Sequence, residues 1–141
     1  MKISDIGVAL IKKFEGCKLT AYIDAAGVLT IGYGHTGPDV VPNLTITQEH
    51  AEALLRVDLE KFEAKVMKYD PIYNWSQCEF DALVSFAYNI GSIDALTANG
   101  TRDRQTIRSN LLLYRKAGGH ILKGLERRRC LELARFNYDI K

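Results

Sequence analysis

The chain has 141 residues, 47% hydrophobic, 26% charged and 9% aromatic, with a formal net charge of +2. That length supports one domain with a real core, the composition is that of an ordinary globular protein, and so small a charge demands no anionic partner. Cys17, Cys78 and Cys130 form no CxxC or Cys/His cluster, so free thiols in a reducing cytosol are expected rather than a disulfide framework or a zinc site. No apolar run approaches the length of a membrane-spanning helix. The opening stretch MKISDIGVALIKKFEG, broken by Lys12 and Lys13, does not read as a signal peptide.

Ser4 is placed to cap a first helix, with Ile3 and Val8 as a hydrophobic staple. Ile6, Leu10 and Phe14 recur every fourth residue and predict its buried face, and Gly16 suits its C-terminal cap. From Lys18 the period changes to two, Leu19, Ala21 and Ile23 alternating with Thr20 and Tyr22. The run DAAG from Asp24 to Gly27 predicts a turn, and Val28 to Tyr33 predicts the returning strand of a hairpin, with Thr30 and His35 on that side of it. A loop with two prolines, GPDVVPN, follows.

Thr47 is placed to cap a long helix from Gln48 to Lys68 with Leu55, Leu59, Phe62 and Val66 as its stripe, ended by Asp70-Pro71. Ser76-x-x-Glu79 is a capping box with Trp75 and Phe80 as its staple, and Phe80, Leu83, Val84 and Ala87 face a core before Gly91 closes that helix. Ser92 to Arg104 reads as a polar loop. Another helix carries Ile107, Leu111 and Tyr114 until Gly118-Gly119, and a last one runs from about Gly124 to Phe136 with Leu125, Leu131 and Ala134 inward. The pattern predicts an α+β chain of one domain over 1–141. A small β-containing lobe (16–46) is joined by a bridging helix (47–68) to a helical lobe (72–141), which includes the first helix (4–15).

Glu15 falls in the last turn of the first helix, where the negative end of the helix dipole disfavours ionisation, as a general acid near neutral pH requires. Asp24 falls at a strand end beside a turn, where a side chain is both exposed and held. Gly32 and Gly34 leave the Thr30 face of the strand nearly bare, open to a ligand or to another backbone. Two carboxylates near a turn are most often solvated surface, and Thr30 alone is an ordinary strand former, so these residues by themselves leave both readings open. His35 reads as a structural histidine at the hairpin base in preference to a catalytic base. His35, His50 and His120 are 15 and 70 residues apart, which fits no short metal-ligand motif and argues against a zinc amidase. Arg127, Arg128 and Arg129 stand at consecutive helical positions and point in different directions, a poor track for phosphates.

The segments FEG, AYIDAAGVLTIGYGHT, ITQEHAEALL, FDALVSFAYNIG and KAGGHILKGLERRR, in that order, resemble the phage lysozyme family, the T-even-like and lambdoid endolysins. The core of the match is the spacing Glu-x8-Asp-x5-Thr, met by Glu15, Asp24 and Thr30, together with GYGH, NIG and GLxxRR. The resemblance implies a lysozyme-like fold with a cleft between two lobes. The activity it implies is hydrolysis of the β-1,4 bond between N-acetylmuramic acid and N-acetylglucosamine in bacterial peptidoglycan, by inversion. Glu15 takes the place of the family's general acid, Asp24 that of its second carboxylate and Thr30 that of its threonine. Gly34, His35, Tyr88 and Asn89 fall at substrate-contacting positions, and Arg128 where an arginine pairs with the acid. That arginine would lower the pKa of Glu15 while the helix end raises it, and the two effects stand opposed.

No cofactor, metal or nucleic acid is implied, nor a stable membrane association. The resemblance implies a monomer held in the host cytoplasm and released to the wall when a holin perforates the membrane. The chain departs from the family pattern in ALTANGTRDRQTIRSNLLLYRKAGG, where many relatives carry a longer STLLxxLN segment with a tryptophan; Tyr114 is roughly in its place. The competing classes are a lysozyme-like protein that binds glycan without cutting it, opposed by the intact Glu15, Asp24 and Thr30, and a DNA-binding helical protein, opposed by the low charge.

Overall fold

The structure, a computed structural model, describes residues 1–139, so the last two positions of the helical segment expected to reach 141 lie outside the described residues. The element order is α1 (Asp5–Glu15), β1 (Lys18–Ile23), β2 (Leu29–Gly32), β3 (His35–Thr36), α2 (Gln48–Met67), α3 (Asp70–Tyr73), α4 (Gln77–Ile90), α5 (Asp94–Thr97), α6 (Arg104–Leu111), β4 (Lys116–Ala117), β5 (His120–Ile121) and α7 (Lys123–Phe136). The elements fall into two units, Lys12–Glu60 and Met1–Ile11 with Lys61–Lys141, so α1 and α2 each have residues in both.

In the first unit β1, β2 and β3 form an antiparallel sheet in that order. Thr30 lies opposite Tyr22 on one side and Thr36 on the other. The third strand is a departure from the predicted hairpin. Positive φ at Gly32 (67°) and Gly34 (95°) turns the chain after β2, and His35 then pairs with Ile31 on a strand of its own rather than extending the return strand. The predicted alternation of Leu19, Ala21 and Ile23 also fails as a burial pattern, since Ile23 is 71% exposed. The register between β1 and β2 shifts between Lys18 and Tyr22, and such a bulge breaks a period of two. The other edge of β1 is paired by the loop before α2, Ala21 N donating to Leu44 O at 2.8 Å and Ile46 N to Leu19 O at 2.9 Å. Buried Ile31, Tyr33, Val40, Ile46, Ala51, Leu55 and Leu59 supply this unit's apolar interior.

The second unit is helical. Ser4 caps α1, its Oγ accepting from Gly7 N at 3.2 Å, and Ile3 and Val8 are both buried. The buried face of α1 is nevertheless Gly7, Val8 and Ile11, not the predicted Ile6, Leu10 and Phe14; Ile6 is 63% exposed. A carboxylate causes the rotation. Asp81, wholly buried on α4, accepts from Ser4 N at 2.9 Å and from Ser4 Oγ, and it holds Arg135 at 2.7 Å. Gly7 is the residue that lets the helix come this near: a Cβ there would fall 2.6 Å from Ile3 Cγ1 and 2.8 Å from Asp81 Cγ.

The capping box forms as predicted, Glu79 N donating to Ser76 Oγ at 3.1 Å and Ser76 N to Glu79 Oε1 at 3.0 Å, with Trp75 and Phe80 buried beside it. Asp70-Pro71 begins a short helix instead of only ending α2, because proline is tolerated where the first-turn N–H has no partner. The predicted polar loop from Ser92 contains α5, seated by buried Ile93, Leu96 and Thr97. Helix α6 stops at Leu111, so Tyr114 lies beyond it, with its ring edge-on to Phe86 at 4.9 Å. Gly118 and Gly119, at φ 58° and 81°, form the turn between β4 and β5, the positive-φ pair that a two-residue hairpin loop needs.

Gly7→Ala should therefore lower stability by about 1–3 kcal/mol through overpacking. In contrast, Gly124 sits in α7, where a Cβ would meet nothing within 4 Å, and Gly124→Ala should raise stability by roughly 0.5–1 kcal/mol. Urea midpoints of the two variants check this, and equal midpoints would contradict the packing described at Gly7.

Candidate active site

Glu15, Asp24, Thr30, Gly34 and His35 all lie in the unit Lys12–Glu60, and Tyr88, Asn89 and Arg128 in the other. Glu15 is the last residue of α1 and half-buried. The helix ends there because Gly16 adopts φ 67°, its N–H donating to Lys12 O at 3.2 Å. One turn back, Lys12 forms an ion pair with Glu52 of α2 and lies 5.7 Å from the Tyr33 ring centroid. The Tyr33 hydroxyl accepts from Gln48 Nε2 at 2.7 Å. The end of α1 is thus tied to the sheet and to the start of α2.

Asp24 follows β1 directly. Its Oδ1 accepts from Ala26 N and Val28 N, each at 2.9 Å, and its own backbone closes the turn to Val28 O and Gly27 N, each at 2.9 Å. The carboxylate is pinned through Oδ1 at a turn whose other residues are exposed. Thr30 is 3% exposed and donates its hydroxyl hydrogen to Val28 O at 2.9 Å. With that hydrogen committed, Thr30 Oγ1 can act toward a further group only as an acceptor. Asp24 and Thr30 are linked through Val28, which supplies an N–H to one and a carbonyl to the other.

The bare strand face expected at Gly32 and Gly34 serves two ends. A Cβ on Gly32 would lie 3.4 Å from Ala51 Cβ, so Gly32 admits α2, while Gly34 is exposed. His35 is held on both ring nitrogens, Nδ1 to Asp58 Oδ2 and Nε2 to Asp39 Oδ2, each at 2.8 Å. Its structural role is therefore to join β3, the proline loop and α2 through carboxylates. Burial alone would lower its pKa, but hydrogen bonds and charge from Asp58 and Asp39 outweigh that and raise it above 6.5.

In the helical unit Tyr88 packs edge-on against Phe62, centroids 5.3 Å apart. Asn89 is exposed near the end of α4 and its Oδ1 accepts from Arg129 Nη2 at 2.8 Å. Arg128 is buried, its Nε 3.2 Å from Glu132 Oε2 and its Nη2 donating to Ser85 O at 3.0 Å. The inward face of α7 is therefore Arg128, Arg129, Glu132 and Phe136, not the predicted Leu125, Leu131 and Ala134. Arg129 is wholly buried as well. The signal in the sequence was the spacing Arg-Arg-x-x-Glu, i to i+3 and i+4, which places both arginines beside one carboxylate. Among the described residues no group of three or more His, Cys, Asp or Glu side chains could hold a metal ion.

The family model for phage lysozyme matches residues 12–132. The chain belongs to the phage lysozyme family. It is 41% identical to the endolysin of Lactococcus phage c2 over 142 residues, covering 99% of this chain and 62% of that protein. To the endolysin of Salmonella phage P22 it is 35% identical over 127 residues, covering 84% of this chain and 86% of the other. Among solved structures it resembles the muramidase domain of SpmX from Asticaccaulis excentricus, with a TM-score of 0.81, 35% identity, and coverage of 96% and 97% of the two chains. This member of the phage lysozyme family thus has the α+β lysozyme fold, and it spans 62% of the length of the Lactococcus phage relative.

The two ion pairs of His35 favour its protonated form in the folded state. Their contribution is complete below the unfolded value of about 6.5 and is lost as pH rises through the raised folded value. Urea midpoints of the native chain should fall as pH rises through that range, and His35→Gln should be less stable at about pH 6 and lose most of this slope. A flat native profile would contradict the double pairing.

Proposed function

We propose that this chain is an endolysin that hydrolyses the β-1,4 bond between N-acetylmuramic acid and N-acetylglucosamine in bacterial peptidoglycan and so lyses the host cell. The observation that carries the reading is the family's Glu-x8-Asp-x5-Thr spacing at Glu15, Asp24 and Thr30, with Asp24 pinned by two backbone amides and the Thr30 hydroxyl committed as a donor. A glycosidase needs one protonated and one ionised carboxyl on opposite sides of the bond it breaks. Glu15 donates its proton to the glycosidic oxygen as the bond from C1 to that oxygen breaks. A water held by Asp24, and donating a hydrogen bond to Thr30 Oγ1, attacks C1 from the other face, and its proton passes to Asp24. Inversion at C1 results.

Gly34, His35, Tyr88 and Asn89 are substrate contacts in this proposal, and Arg128 supports the acid. The substrate is the glycan strand of peptidoglycan, and the enzyme works as a monomer without a cofactor. Among the described residues no helix is long and apolar enough to cross a membrane, and the reading assigns access to the wall to a holin that opens the host membrane from a cytoplasmic pool.

Glu15→Gln keeps the side chain's size but cannot donate the proton, so it should abolish clearing of a purified cell-wall suspension, a loss of at least about 100-fold, with the melting temperature unchanged. Near-native lysis by that variant would remove Glu15 as the acid. Proton NMR of the first product should show the α anomer. A β product would mean retention, and a 1,6-anhydro product would mean a transglycosylase.

A further inference from the structure

We propose that Arg129 is a positioning residue for Asn89, fixing its amide so that the NH₂ group faces outward as a hydrogen-bond donor to an acceptor oxygen of the glycan, of the kind an acetamido carbonyl provides. This rests on the reading of Asn89 as a glycan contact.

The orientation follows from chemistry. A guanidinium carries donors and no acceptor, so only the oxygen of the Asn89 amide can face Arg129 Nη2, and it does so at 2.8 Å. The amide nitrogen is therefore directed away from Arg129, and Asn89 is exposed. The partner that enforces this is itself immobile. Arg129 is 0% exposed, its guanidinium carbon lies 4.9 Å from the Phe86 ring centroid, and its Nε is 2.8 Å from Glu132 Oε1.

In the interior the cation meets Glu132, to whose Oε2 its Nη2 also donates at 3.4 Å, but its hydrogen bonding there is incomplete. Nη1 has no hydrogen-bond partner among the described residues, and Nε meets Glu132 off the line of a hydrogen bond. A buried ion pair with incomplete hydrogen bonding is often no more stable than well-packed apolar side chains in place of both partners. Besides balancing Glu132, the charged side chain supplies what an apolar one could not, a rigid donor under an exposed amide. A free asparagine samples both amide orientations and presents donor and acceptor alternately; this one presents the donor.

The test separates positioning from packing. Asn89→Asp keeps an acceptor for Arg129 but turns the outward donor into an acceptor. It should leave the melting temperature no lower, and raise KM for soluble glycan strands about tenfold with kcat within about twofold, the effect of losing one hydrogen bond. An unchanged KM in Asn89→Asp overturns the proposal. Arg129→Lys keeps a charge beside Glu132 but loses the fork, so it should raise KM in the native background and add nothing in Asn89→Ala. Rises that simply add would mean Arg129 does not act through Asn89. If Asn89→Ala leaves KM unchanged, the proposal fails together with Asn89 as a glycan contact, whereas the muramidase reading stands or falls separately with Glu15→Gln. Should Arg129→Lys not fold, the Asn89→Asp result decides.

Discussion

The helical unit depends on one buried carboxylate. Glu132 is wholly buried, lies 3.2 Å from Arg128 Nε and 2.8 Å from Arg129 Nε, and accepts from Ser85 Oγ at 2.6 Å. Burial raises its pKa, opposed by Arg129, Ser85 and Arg128. Burial also lowers the pKa of Arg129, against the pull of Glu132. Neither sign can be removed alone, because breaking one partner of a buried pair leaves an uncompensated charge at a cost of about 3–5 kcal/mol. Helix α7 therefore sits on α4 through charge as much as through apolar contact, with Phe136 the one large apolar side chain fully buried along it.

Asp81 applies the same rule at α1. It joins Ser4 and Arg135, which stand near opposite ends of the described chain. Once a carboxylate is placed in the interior it must be met by donors, and the elements carrying those donors lose their freedom to rotate. Surface pairs such as Lys68 with Asp94, 3.7 Å apart and both exposed, exert no comparable constraint.

The sheet-bearing unit divides its polar groups differently. Asp24 spends one oxygen on the backbone, Thr30 spends its hydrogen on Val28 O, and each keeps its other capacity for a further group. His35 spends both nitrogens on Asp58 and Asp39, which makes it a strut of the same unit. Asn89 on Arg129 is likewise held from one side in the helical unit.

Features set within a few residues were legible in the sequence. The Ser76–Glu79 capping box, the Ser4 cap, the Gly16 helix end and the Asp24–Gly27 turn depend on partners no more than four residues apart, and local geometry alone selects them. The Glu15, Asp24 and Thr30 spacing was legible for the same reason, since a helix end, a turn and a strand carry those three residues in immediate succession. Tertiary structure alone decided which faces of α1 and α7 turn inward. Apolar periodicity pointed to Ile6 and Leu131, but the governing contacts are Ser4 with Asp81 and Ser85 with Glu132, separated by 77 and 47 residues. A buried charge outweighs a methylene stripe: nothing local to α1 reveals that its partner on α4 is a carboxylate, and nothing local to α7 reveals that its own Glu132 is buried against Ser85.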